Sequence, residues 1–245
     1  MSEWYERWFG EEYLALYPHR DESDAAAAVA LLERHLGERD SHPVGVGYRI
    51  LDLACGAGRH ARLLGALGWT VGLDLSPTLL RLARAGDPAG PYVRADMRIL
   101  PFADASFALV TNLFTSFGYF AADEEHARVL GEVRRVLRAG GTFMLDFLNA
   151  PHVRDTLVKY DEREVDGTIV EQHRSISPDG RYVLKRIVTR PDGRAFIERV
   201  RLFERDELER MLTDAGFRCN AVYGDYAGGA ASDSSPRAIF FAERA

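Results

Sequence analysis

Ile50-Leu51-Asp52-Leu53-Ala54-Cys55-Gly56-Ala57-Gly58-Arg59 is the stretch that decides the fold. It reads as a buried strand, an abrupt glycine turn and the start of a helix. Two glycines at such a junction let the backbone approach a ligand closely, with no Cβ in the way. The free amides at the new helix's N-terminus favour an anionic or strongly accepting group. A second short strand, Thr70-Val71-Gly72-Leu73-Asp74, ends in a carboxylate suited to accept hydrogen bonds from ribose hydroxyls. The pattern predicts a nucleoside-cofactor site built from Ala54, Gly56, Gly58, Asp74 and Leu75.

Read as Gly56-x-Gly58-x-x-Ala61, with an acid 18 positions after Gly56, the segment also satisfies the dinucleotide fingerprint. Three features favour S-adenosylmethionine. Asp52 lies in the strand itself, where a carboxylate repels a pyrophosphate but not an ammonium or sulfonium. A third short strand, Tyr92-Val93-Arg94-Ala95, leads into Asp96-Met97, an acid and a backbone amide placed to read an adenine. The chain is also short for a full dinucleotide fold plus a catalytic domain of comparable size.

These residues resemble the class I S-adenosylmethionine-dependent methyltransferases. The resemblance runs from about Ile50 to Leu148 and resumes after Phe203. It rests on ILDLACGAGR, TVGLDLSPTLLRLAR, the ADM triplet, FALVTNLFTSFGYF and VLRAGGTFMLDFLN, with Arg59 where many members carry a third glycine. It implies S-adenosylmethionine as cofactor and S-adenosylhomocysteine as product. It implies a doubly wound, seven-stranded, mostly parallel α/β sheet of Rossmann-like type. Asp52, Asp96, Met97 and Leu113 join the expected cofactor set, and Tyr17 and Arg20 are placed to reach the methionine carboxylate. Small-molecule members such as the aminosugar N,N-dimethyltransferases also carry an antiparallel insertion and a run like Ser116-Phe117-Gly118-Tyr119, which makes Tyr119 the candidate at the methyl acceptor.

Around this centre the chain divides into an expected N-terminal helical cap (1–40), a core (41–150 and 204–245) and an inserted antiparallel β unit (151–203). Residues 3–17 read as one aromatic-rich helix, and a second helix follows near Ser23–Leu36. A helix at Asp123–Arg138 has acids in its first turn, cations in its last and Gly140-Gly141 as its stop. Between about Glu162 and Phe203, two Pro-Asp-Gly turns predict a three-stranded meander. A helix at Glu204–Ala215 and strands at Phe217–Tyr223 and Arg237–Ala242 complete the sheet, with a flexible loop at Gly224–Pro236 between the strands.

The 245 residues are 47% hydrophobic and 28% charged, ordinary values for a globular protein. No stretch reaches the roughly 20 apolar residues of a membrane span, and the acidic, aromatic start is unlike a secretory signal. Cys55 and Cys219 have no metal or redox spacing, so a reduced, cytoplasmic protein without a metal is the expectation. A net charge of −6 without a basic block argues against nucleic-acid binding. The expected acceptor is a nitrogen or oxygen of a small molecule, taken by a monomer or homodimer. The alternatives are an RNA or protein methyltransferase, or a nucleotide-cofactor-binding protein without catalysis. A base is needed only if the acceptor must shed a proton; Tyr119, His19, His152, His173 and Glu171 have suitable chemistry. His60 is expected at a surface or in packing, and His35 and His126 in solvent.

Overall fold

The computed structural model describes residues 3–17, 22–37 and 47–245. In chain order these form α1 (Trp4–Trp8), α2 (Glu11–Leu16), α3 (Glu22–Gly37), β1 (Arg49–Leu53), α4 (Arg59–Leu64), β2 (Trp69–Asp74), α5 (Pro77–Gly86), β3 (Tyr92–Arg94) and β4 (Phe107–Asn112). A 3-10 turn at Phe117–Tyr119 precedes α6 (Asp123–Val136), β5 (Leu137–Leu148) and α7 (Ala150–Thr156). Four strands follow: β6 (Tyr160–Val165), β7 (Thr168–Ile176), β8 (Tyr182–Arg190) and β9 (Ala195–Arg201). Then come α8 (Arg205–Asp214), β10 (Phe217–Tyr223) and β11 (Arg237–Arg244).

The main sheet has seven strands in the order β10-β11-β5-β4-β1-β2-β3. Only β11 runs against its neighbours, pairing antiparallel with both β10 and β5. Because a strand presents alternate residues to opposite faces, both faces are apolar and both are covered. Leu51, Leu53, Val110, Phe143 and Leu145 pack under α6 and α8 with Val129, Val133 and Leu208. Ile50, Leu109, Met144, Ile239 and Phe241 pack under α3 and α4 with Val29, Leu32 and Leu64. This is the doubly wound, mostly parallel sheet read from the sequence, and its strand ends converge on the glycine turn.

The second sheet is a meander in the order β6-β7-β8-β9, of four strands rather than three. The extra hairpin closes at Asp166-Gly167, with φ of 47° and 79° and Val165 paired to Thr168. Two residues with positive φ make the primed turn that matches strand twist, and Asp-Gly is a strong sequence signal for it. The Pro-Asp-Gly turns join β7 to β8 and β8 to β9, as read.

Other expectations are corrected. Residues 3–17 are two short helices, because Gly10 is extended (φ −130°, ψ −152°) between them. The break lets Tyr13 meet Trp8 and Phe9, with ring centroids 5.7 and 4.9 Å apart. Helix α6 ends at Val136, and Gly140-Gly141 lies inside β5, where Gly140 (φ 69°) sits in a register jump from Phe107↔Leu137 to Leu109↔Thr142. The Gly224–Pro236 loop is tied down rather than loose. Asn149 Nδ2 lies 2.6–3.1 Å from the carbonyls of Ser232, Asp233 and Ser235, and Arg34 donates to the Tyr226 carbonyl at 2.8 Å. His35 and His126 are buried, not solvated: His35 stacks on Phe241 at 3.9 Å, and His126 sits among Phe117, Phe120 and Phe203. Among the described residues, no helix is long and apolar enough to cross a membrane.

Candidate active site

At the end of β1 the chain reverses through Ala54, Gly56 and Gly58, all at positive φ (60°, 58° and 79°), before α4 begins. Asp74 at the end of β2 stabilises this turn. Its Oδ2 accepts from the Gly56 amide at 2.8 Å and its Oδ1 from the Ser76 amide at 2.7 Å. Burial raises the Asp74 carboxyl above its ordinary range, and the two amides oppose that rise without cancelling it. A Cβ at Gly56 would meet only Leu79 Cδ1, at 3.9 Å, so the turn leaves open space on its cavity side. Gly58 differs: a Cβ there would lie 2.7 Å from the Tyr92 hydroxyl and 3.1 Å from Ala83 Cβ. It is a glycine of packing, and it does not line the cavity.

Asp52 also stands behind the wall. It is 1% exposed and accepts from the Thr111 hydroxyl at 3.1 Å. Burial pushes its carboxyl up to about 7, against the pull of Thr111 and the Ala61 amide. A carboxyl so placed is a poor source of repulsion towards a pyrophosphate, so the charge of Asp52 does not separate the two cofactors as the sequence suggested. The acids that line the cavity are Asp74, Asp96 and the exposed Glu6 of α1. Burial raises Asp96, but the Arg98 guanidinium, with nitrogens 2.6–3.1 Å from its oxygens, and the Arg98 amide at 2.8 Å hold it below the ordinary carboxylate range. Arg98 is itself shared with Glu125.

These strand ends form one wall of a cavity of about 670 Å³, within the roughly 300–1,000 Å³ usual for small-molecule sites. Of the residues singled out in the sequence, Tyr17, Ala54, Gly56, Asp74, Leu75, Asp96, Met97, Leu113 and Tyr119 line it. Arg20 and His19 lie outside the described residues. His152, His173 and Glu171 do not line it; His173 sits exposed on β7 beside Glu171.

The opposite wall is aromatic. Tyr5 and Phe9 come from the first helix and its end, Phe114, Tyr119 and Phe120 from the segment after β4. Tyr119 is clamped by Phe9 (stacked, 5.4 Å), Trp4 (edge-on, 5.1 Å) and Tyr5 (stacked, 6.2 Å). The N-terminal helices are held over the cavity from two sides. The Ser76 hydroxyl donates to the Phe9 carbonyl at 2.5 Å. From the meander, Glu198 accepts from Trp8 Nε1 at 2.7 Å and pairs with Lys185 at 3.3 Å, and Lys185 bonds the Tyr17 hydroxyl.

Several wall residues escaped sequence reasoning. Ser76 had a signal, since Ser-Pro opens a helix; its hydroxyl caps the Leu79 amide at 3.2 Å. Phe114 had none. His60, expected on a surface or in packing, is 5% exposed and faces the cavity. Burial, assisted by Arg59, lowers it to about 3, so the imidazole is neutral.

A glycine turn after β1 and an acid at the end of β2, on a doubly wound sheet, define an α/β protein shaped for a nucleoside cofactor. Comparison with known proteins makes the class specific. Residues 50–141 match the family described as "Methyltransferase domain". A dTDP-3-amino-3,6-dideoxy-alpha-D-glucopyranose N,N-dimethyltransferase of Streptomyces fradiae is 28% identical over 228 residues, 86% of this chain and 81% of that one. The ubiquinone/menaquinone biosynthesis C-methyltransferase of Yersinia enterocolitica is 30% identical over 200 residues, covering 75% and 71% of the two chains. The structure of an amino pentose methyltransferase with S-adenosylmethionine bound, from Micromonospora echinaspora, superposes with a TM-score of 0.70 at 25% identity over 96% of this chain and 97% of that one. The chain belongs to the S-adenosylmethionine-dependent methyltransferases. It is an enzyme, and S-adenosylmethionine is its cofactor.

Proposed function

We propose that this enzyme methylates a neutral amine nitrogen of a small molecule. The observation that carries the reading is the state of the titratable groups facing the cavity. Among the described residues that line the cavity, Asp74 is engaged by two amides, Asp96 is clamped by Arg98, the His60 imidazole holds a proton only below about pH 3, and the remaining carboxylate, Glu6 of α1, is exposed to solvent. Burial pushes the Tyr5 phenol up to about 12. A phenol or alcohol acceptor needs a base near its proton. An amine needs only to arrive unprotonated.

The strand-end wall suits the cofactor. Asp74 accepts from ribose hydroxyls, Asp96 and the Met97 amide read the adenine, and Ala54 and Gly56 take the methionine portion against the open side of the turn. Leu75 and Leu113 pack on the rings, Tyr17 stands at the edge of the methionine end, and Gly58 and Asp52 support the turn from behind. When bound, the cofactor supplies a methyl group on a sulfonium, already a good leaving group. The protein's contribution is to hold the nitrogen in line and exclude water, which lowers the barrier through orientation. The aromatic wall does this, with Tyr119 contacting the acceptor. In this division of labour, residues 41–150 and 204–245 serve the cofactor and supply the 113–120 part of the acceptor wall, the described residues of 1–40 supply the rest of that wall, and 151–203 hold it from behind through Glu198 and Lys185.

The names of the relatives support the choice of atom. The Streptomyces fradiae enzyme is named for an amino-sugar nitrogen, and the Micromonospora structure for an amino pentose. Mass spectrometry after incubation with S-adenosylmethionine and dTDP-3-amino-3,6-dideoxy-alpha-D-glucopyranose, beside panels of simple amines, phenols and quinols, tests the reading. Methyl gain on an amine supports it. Transfer to quinols or phenols with none to any amine overturns it.

A further inference from the structure

Phe114 and Thr115, one residue beyond the end of β4, both have positive φ, 61° and 70°. Two successive non-glycine residues in the left-handed region are costly, and such a pair persists only where its surroundings hold it. The segment it begins supplies Leu113, Phe114, Ser116, Tyr119 and Phe120 to the cavity. Its conformation therefore decides the shape of the aromatic wall.

What holds it is Asp146, on β5. This carboxylate is fully buried and does not line the cavity. Its Oδ2 accepts from the Phe114 amide at 2.9 Å and from the Tyr226 hydroxyl at 2.7 Å. Its Oδ1 lies 2.7 Å from Arg237 Nε and 2.6 Å from Arg237 Nη2. Arg237 Nη2 also donates to the Thr115 hydroxyl at 3.1 Å, and the Asp146 carbonyl accepts from the Thr115 amide at 3.2 Å. Two guanidinium groups lie over the Phe114 ring, Arg59 at 4.3 Å and Arg237 at 5.6 Å from its centroid. Desolvating a carboxylate and a guanidinium together is expensive, and an apolar pair of similar volume often serves a core better. Here the hydrogen bonds of the ion pair run to the strained turn and to the loop before β11.

We infer that Asp146 is a positioning residue: through its bonds to Phe114, Arg237 and Tyr226 it locks the left-handed turn that sets the acceptor wall. It acts without touching either ligand. That it governs acceptor chemistry rests on the proposal that this wall meets the acceptor; that it governs the turn does not. The same carboxylate couples two sequence-distant pieces, the segment after β4 and the stretch that runs from the Tyr226 loop into the start of β11. A rotation of the Asp146 side chain would break its bonds to Phe114, Tyr226 and Arg237 at once, leaving Thr115 on the Asp146 carbonyl.

The test compares the parent with Asp146→Asn, Tyr226→Phe, and Asp146→Asn combined with Thr115→Gly. Hydrogen exchange of the 113–120 segment, calorimetric affinity for S-adenosylhomocysteine, and methyl transfer to dTDP-3-amino-3,6-dideoxy-alpha-D-glucopyranose are measured on each. Asp146→Asn should speed exchange of 113–120 by tenfold or more, leaving β1 unchanged and the affinity within threefold. Where the probe is turned over, its KM should rise at least tenfold. Thr115→Gly should recover severalfold of that loss, because glycine accepts φ near 70° unaided. Tyr226→Phe, the milder change, should give a smaller exchange effect confined to the same segment, and it carries the test if Asp146→Asn does not fold. Exchange within twofold of the parent in both single variants overturns the inference, as does a tenfold loss of cofactor affinity. A probe that is not methylated by the parent counts against the proposed acceptor alone, and the exchange result still decides the role of Asp146.

Discussion

The two walls of the cavity are made of different material. The strand-end wall comes from residues 54–97, and its shape is set by backbone: a turn at positive φ, two amides on Asp74, and a helix N-terminus. The aromatic wall is assembled from Tyr5, Phe9 and the 113–120 segment, held by Ser76, Asp146 and, through Trp8 and Tyr17, by the meander. A wall of backbone tolerates little change and serves one ligand. A wall of side chains, drawn from distant parts of the chain, can be altered without disturbing the sheet. The relatives agree, since enzymes named for nitrogen and for carbon methylation match the same chain.

The comparison breaks most sharply at Gly56. Gly56→Val should weaken S-adenosylhomocysteine binding by more than a hundredfold, since a β-branched residue resists φ near 58° and fills the open side of the turn. Calorimetry of a variant with native far-ultraviolet dichroism is the measurement, and near-parental affinity would place the ligand elsewhere. Asp74→Ala removes a charge-assisted contact worth roughly 1.5–3 kcal/mol, or about ten- to a hundredfold in affinity, and frees the Gly56 and Ser76 amides besides. If the folded variant binds as the parent does, the ribose is not held at β2.

On the aromatic side the readout changes. Trp8→Phe keeps a ring but loses the 2.7 Å bond to Glu198. Acceptor KM should rise severalfold with cofactor affinity unmoved; equal changes in both would erase the distinction between the walls. Beneath that wall, burial holds His126 down at about 4, whereas an unfolded histidine titrates near 6.5. Between those values the unfolded chain binds more protons, so this group makes stability rise with pH. The stability of His126→Leu relative to the parent should therefore climb as pH falls from about 6.5 to about 4. A pH-independent gap in melting temperature between the two would be the contrary result. Smallest of all is Arg81→Ala. Its exposed 3.3 Å pair with Glu11 joins α5 to α2, and its loss should cost less than about 1 kcal/mol and leave both ligands' constants unchanged.

What the sequence disclosed follows the same division. Strand, turn and acid lie close together along the chain, and each has local physics, so the sheet and the strand-end wall were legible. The Asp166-Gly167 hairpin carries a turn signal as plain as the Pro-Asp-Gly pair, yet the three-strand reading of the meander misses it. Other features had no local signature. His126 is buried because α6 turns it towards Phe203, which lies far along the chain. Gly140-Gly141 resembles a helix stop, yet β5 absorbs it through a register jump next to β4. The left-handed Phe114-Thr115 pair carries no glycine or asparagine to betray it, since its support comes from Asp146 and Arg237. Gly58 and Asp52 belong to the right motif but stand behind the wall, and only packing against Tyr92 and Thr111 tells them from residues that face it.

The place of β11 bears on synthesis. Its residues Ala238 to Ala242 are all buried, and they lie between β5 and β10. Until 237–244 leave the ribosome, β5 presents one unpaired edge and β10 has no neighbour in the sheet. Open apolar edges are templates for joining other chains. A nascent chain stalled before Arg237 would hold the glycine turn and Asp74 but expose the flank of β5, making it a substrate for chaperones. Synthesis of the last strand closes that edge. It also delivers Arg237 to Asp146, so the sheet and the strained turn are completed by the same few residues.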